Sequence, residues 1–187
     1  MFNRRKREPV APDQDAVVDR VLCLSAVVML GAIAAGLGDG TMEEAQAEAY
    51  VTESHRWLIR EHLADALSRS ERALIAKPLA DWTPGESLAA EWRNESAGVL
   101  LWALSALDAI PPHDARFERE FSLVPLLAPT VDFRKATSLR PPEEIDGART
   151  AAEGAPAGPG AAERQYALNW LSGYAADWDA VPAARPS

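Results

Sequence analysis

A chain of 187 residues, 48% hydrophobic and 25% charged, suits one core and excludes both a disordered chain and a membrane bundle. One cysteine, Cys23, excludes an internal disulfide framework and any cysteine-rich zinc or iron–sulfur centre. The formal charge of −9 is unevenly spread: Arg4, Arg5, Lys6 and Arg7 hold four of the 19 positives, which leaves 15 against 28 carboxylates, or −13, over residues 8–187. Such a body repels nucleic-acid backbones and anionic bilayers, so no nucleic-acid partner is expected.

In chain order, residues 1–14 read as a disordered basic arm. A first helix is expected from about Asp15 to Leu37, closed by Gly36, Gly38 and Gly40. Its stretch from Val21 to Gly38 has 18 residues without a charge, the lower edge of membrane-spanning length. The basic cluster is separated from it by Pro9, Pro12, Asp13, Asp15 and Asp19, unlike a signal sequence. The run is also rich in Ala and Gly. A central helix surrounded by others is therefore the favoured reading, and a membrane anchor over 21–38 is the alternative. Thr41 and Glu44 have capping-box spacing and open a helix expected to continue through Leu58 and Leu63 towards Leu67. Ser68 and Glu71 repeat that spacing for a shorter helix, which Pro78 stops.

After a turn-rich link over Asp81–Gly85, a strong helix is expected from about Ser87 to Leu107. Its wide stripe of Leu88, Trp92, Val99, Trp102 and Ala106 predicts contact with more than one neighbour. From Pro111 to Gly160 the chain carries eight of its 14 prolines, with apolar anchors from Phe117 to Phe133. Pro141 to Ile145 can start a short helix, and a small-residue stretch over 148–160 reads as an exposed flexible loop. A last helix begins near Glu163 with the stripe Ala167, Trp170, Tyr174 and Trp178, and residues 182–187 form a frayed tail. The fold class is all-α: a single irregular domain of five to six helices over 15–181 with a proline-rich, partly non-helical insertion. A short strand within 117–133 is the exception allowed for.

Glu95 is the most informative polar residue. Trp92, Glu95, Val99 and Trp102 follow 3-4-3 spacing, which places a carboxylate on an aromatic face where it must find a partner. That partner is expected to be a distant arginine such as Arg140 or Arg164; the functional alternative is an acid–base or ligand-contacting role. Arg93 can lay its stem along a second apolar edge. His55 and His62 lie two turns apart, about 10.5 Å, too far to share one tetrahedral metal on a straight helix. No metal and no cofactor are expected, and no catalytic residue is assigned beyond Glu95, His55 and His62 as candidates. His113 is the third histidine. Cys23 is read as an inert buried thiol, Trp57 and Trp82 as core residues, and Asp177 and Asp179 as a solvated or capping pair.

Three ordered motifs together resemble one family. Leu67-Ser68 with Glu71-Arg72 leads to Glu91-Trp92-Arg93-Asn94-Glu95-Ser96; Leu139-Arg140-Pro141-Pro142-Glu143-Glu144-Ile145 follows. Glu163-Arg164, Ala167-Leu168-Asn169-Trp170-Leu171 and Asp177-Trp178-Asp179 complete the set. This pattern, over roughly 16–181, is similar to the bacterial DUF4272 family. The resemblance implies a soluble helical domain without an assigned activity. It also groups Trp92, Arg93, Glu95, Arg140, Glu144, Arg164, Asn169 and Trp170 as a polar cluster of structural character. The small-residue stretch from Ala148 departs from the family's longer helix there. The expectation is an acidic, cytoplasmic interaction or structural domain, more binding than enzymatic, with an unidentified protein partner. A small metal-independent hydrolase or ligand-binding protein using Glu95 is the second reading.

Overall fold

The computed structural model describes residues 10–117, 123–156, 158 and 160–182. Among them all regular structure is helical, as expected. The helices are α1 (Gln14–Asp39), α2 (Glu44–Arg60), α3 (Arg69–Ile75), α4 (Pro84–Ala103), α5 (Val131–Ala136), α6 (Pro142–Glu153) and α7 (Ala161–Leu171). Short 3-10 turns cover Leu79–Asp81 and Trp178–Ala180. Most of the basic arm and of the C-terminal tail lies outside the described residues, as does Phe121.

α1 is the axis of the molecule. Asp13 caps it by accepting the Ala16 amide at 2.9 Å, so the helix starts inside the segment expected to be an arm. From Val17 to Leu30 it is enclosed on nearly every side, and its most extensive partner is α4. At their crossing a Cβ on Gly31 would stand 2.7 Å from Ala90 Cβ, so glycine sets how closely the two backbones approach. α1 is long and apolar enough to cross a bilayer, yet 72% of its apolar window is buried inside the protein. Each fully buried Val, Leu or Ile is worth about 1.5–3 kcal/mol. Withdrawing α1 would strip both it and the α4 face it covers.

At the ends of α2 and α4 the sequence reading ran long. α2 stops at Arg60 rather than near Leu67. His62 takes a left-handed conformation (φ 58°), its amide bonds Ile59 O, and the Leu63 amide reaches back to Leu58 O at 2.8 Å. α4 stops at Ala103 by the same device: Ser105 (φ 58°) bonds Trp102 O and the Ala106 amide bonds Leu101 O. Both are Schellman closures built without glycine; α7 closes the same way with Gly173. Thr41 is not the expected cap of α2. Its hydroxyl bonds the Asp39 carboxylate at 2.6 Å, and Glu43 stands at the cap position without a side-chain bond.

Among the described residues capping boxes form at Ser68 with Glu71 on α3 and at Thr83 with Glu86 on α4, the latter with Pro84 in its first turn. The chain after α4 returns along its end: the Ser138 and Arg140 amides bond Leu104 O and Ala103 O. α6 continues to Glu153, so the loop expected over 148–160 begins only at Gly154. Arg149 accounts for the difference. It is buried, pairs with Asp146 and Glu153 one turn either side, and lies over the Tyr174 ring. No strand occurs among the described part of 117–133, where α5 and irregular backbone are found.

Candidate functional site

Among the described residues, two glutamates are enclosed in the helical core, and each is shared by two arginines. Glu95, on α4, accepts Arg164 Nε from α7 at 2.8 Å and the Phe117 amide at 3.2 Å. Arg116 Nε stands 3.8 Å away, its guanidinium 3.7 Å above the Trp92 ring. Arg164 spends its remaining hydrogens on the carbonyls of Pro111, Pro112 and Ala115. A single buried pair therefore ties α4 and α7 to the 111–117 segment. Gly160, at φ 74°, precedes α7; a Cβ there would collide with the Glu95 side chain.

Glu71, on α3, was recognised from the sequence only as a capping residue. Its Oε2 takes Arg20 from α1 at 2.5 Å and the Ser68 amide at 2.8 Å, while Oε1 takes Arg93 from α4 at 3.2 Å. Arg20 also lies over the Trp178 ring, and the Ser70 hydroxyl and amide bond Asp179. The signal was present: Glu71 lies four residues from Leu67 and from Ile75, both buried, and Arg20 lies between Val17 and Leu24 at helical spacing.

The eight residues grouped by resemblance do not form one cluster. Glu95 and Arg164 meet, with Trp92 joined to them through Arg116. Arg93 belongs to Glu71. Arg140 bonds Trp102 O, Leu107 O and Glu144, and does not supply the Glu95 partner. Asn169 bonds Gln165 and Pro182 O, and Trp170 packs edge-on against Trp178.

His55 and His62 are exposed, and His113 is exposed at the mouth of a cavity of about 430 Å³ between the end of α4, α6 and α7. Its apolar wall includes Trp102, Ile110, Ala148, Ala152 and Leu168. Among the described residues no three His, Cys, Asp or Glu side chains gather in a metal-binding arrangement. Cys23 bonds Leu63 O, and burial pushes its thiol up to about 12.

A family model described as "Domain of unknown function (DUF4272)" matches residues 3–153. The chain belongs to that family. The match ends with α6, so the C-terminal motif from Glu163 to Asp179 falls outside it, although Arg164 completes the Glu95 pair. No curated protein and no solved structure matches the chain.

Proposed function

We propose that this DUF4272 member is a non-catalytic helical interaction domain that works in the soluble phase of the cytoplasm. The observation that carries the reading is the coordination of Glu95: two guanidiniums and an amide occupy the one carboxylate that the sequence marked for acid–base chemistry. A general base needs a free lone pair aimed at a substrate proton. Here those positions face groups that fasten α4 to α7 and to the 111–117 segment. The burial of α1 against α4 supports the soluble reading over a membrane anchor, since insertion would separate the two.

The test combines affinity purification from the native host, after crosslinking in the cell, with assays on ester, amide and phosphate substrates. Recovery of one protein partner in near-stoichiometric amount, with no turnover, supports the reading. Turnover that Glu95→Gln abolishes while the melting curve stays intact overturns it in favour of the hydrolase. Recovery of the full-length protein in the membrane fraction overturns the localisation.

A further inference from the structure

The cavity of about 430 Å³ between the end of α4, α6 and α7 is walled largely by carbon. Ala148, Ala151 and Ala152 recur on α6 at i, i+3 and i+4, and all three border it. Ala155 continues that wall beyond the helix, while Trp102 and Leu168 bring in α4 and α7. Trp102 is only 8% exposed, and its indole N–H has no hydrogen-bond partner among the described residues. A Cβ on Gly158 would collide with the His113 carbonyl, so glycine lets the chain there lie against the His113 backbone.

Three ionisable side chains border the cavity, and none supplies a counter-ion inside it. Arg164 spends its guanidinium on Glu95 and on the carbonyls of Pro111, Pro112 and Ala115. Asp108 and His113 are exposed and hydrated. A charged group that entered would give up its water without gaining a partner. An uncharged one escapes that cost. It also displaces water, roughly 14 molecules at about 30 Å³ each, that has few polar groups to hold it, and such displacement gains affinity.

We propose that this cavity binds a small uncharged hydrophobic molecule with the bulk of two fused rings, carrying a hydroxyl or carbonyl oxygen for the Trp102 indole N–H. Its volume lies in the range of small-molecule sites. An apolar cavity of about 150 Å³ takes benzene, and the space here is nearly three times as large. The inference is independent of the interaction role above, so the failure of either leaves the other standing.

The test is a titration of the full-length protein with 2-naphthol and with two charged analogues of similar bulk, 2-naphthoate and 1-naphthylmethylammonium, read from the indole N–H resonances. 2-Naphthol shifts the Trp102 resonance saturably. It leaves that of Trp57, which is enclosed and bonded to Ala128 O, in place. Each charged analogue binds at least about tenfold more weakly. Ala151→Phe and Ala155→Phe, both at exposed positions on the wall, put carbon into the space that the ligand needs. At least one of them keeps the wild-type melting curve and binds 2-naphthol at least about tenfold more weakly. An unmoved Trp102, a charged analogue that binds as tightly as 2-naphthol, or undiminished affinity in both variants each overturns the proposal.

Discussion

Glu71 and Glu95 are both enclosed, both shared between two arginines, and both set where helices distant in sequence meet. At Glu95 the chief arginine is also fully occupied, since Arg164 delivers its other hydrogens to three backbone carbonyls. At Glu71 the chief arginine is not. One cluster is closed and mechanical. The other leaves one buried donor, Arg20 Nε, without a partner. A buried ion pair is thus not in itself a sign of function.

The largest effect is expected from Glu71→Ala, which strands Arg20 in the core and removes a capping box: about 4–5 kcal/mol in urea or thermal unfolding. Glu95→Ala should cost less, about 3–4 kcal/mol, because Arg164 keeps its carbonyl partners. Equal losses would break the distinction between the two sites. Gly160→Ala sharpens it from the other side. It forces a side chain onto Glu95 at a left-handed position and should cost about 2–3 kcal/mol, with the Trp178 environment unchanged in near-UV circular dichroism.

Burial holds the Cys23 thiol at about 12, and the nearby Arg20 and Glu71 charges act on it in opposite directions. Native-state thiol labelling at pH 8 should therefore be undetectable until unfolding, and labelling ahead of global unfolding would show that the Glu71 side opens first.

The smallest effect is at the surface. Lys77 and the Thr83 groups hold the Glu86 carboxyl at about 2, against an ordinary 4.5. With a lowered folded value, its contribution is present above 4.5 and is lost as pH falls through about 2. Lys77→Met should raise the Glu86 titration midpoint in NMR while leaving both buried clusters untouched.

Helix starts were legible from local chemistry at α3 but not at α2, where the Thr41 hydroxyl bonds Asp39 instead of capping the helix. Ser68 and Glu71 stand three residues apart and cap α3 as the spacing implies. Helix stops were not, because His62 and Ser105 adopt left-handed conformations that composition assigns to glycine. Arg149 likewise carries α6 through a stretch of alanines by pairing along its own helix and packing on Tyr174. Glu95 could be singled out from helical periodicity, but the choice of Arg164 over Arg140 depended on where the Pro111–Phe117 segment runs. Arg20 was hidden at the edge of an apolar run, where its partner lies 51 residues ahead.

The order of α1 and α4 along the chain has a consequence for synthesis. α1 ends at Asp39, and the helix that covers it most completely is finished only at Ala103. At about 5–20 residues per second the ribosome needs roughly 3–13 s to bridge that gap. Throughout that interval the nascent chain displays a membrane-length apolar segment with nothing yet made to cover its α4 face. Slowing elongation between α1 and α4 should therefore lengthen the time that this apolar segment stays uncovered and lower the yield of folded protein.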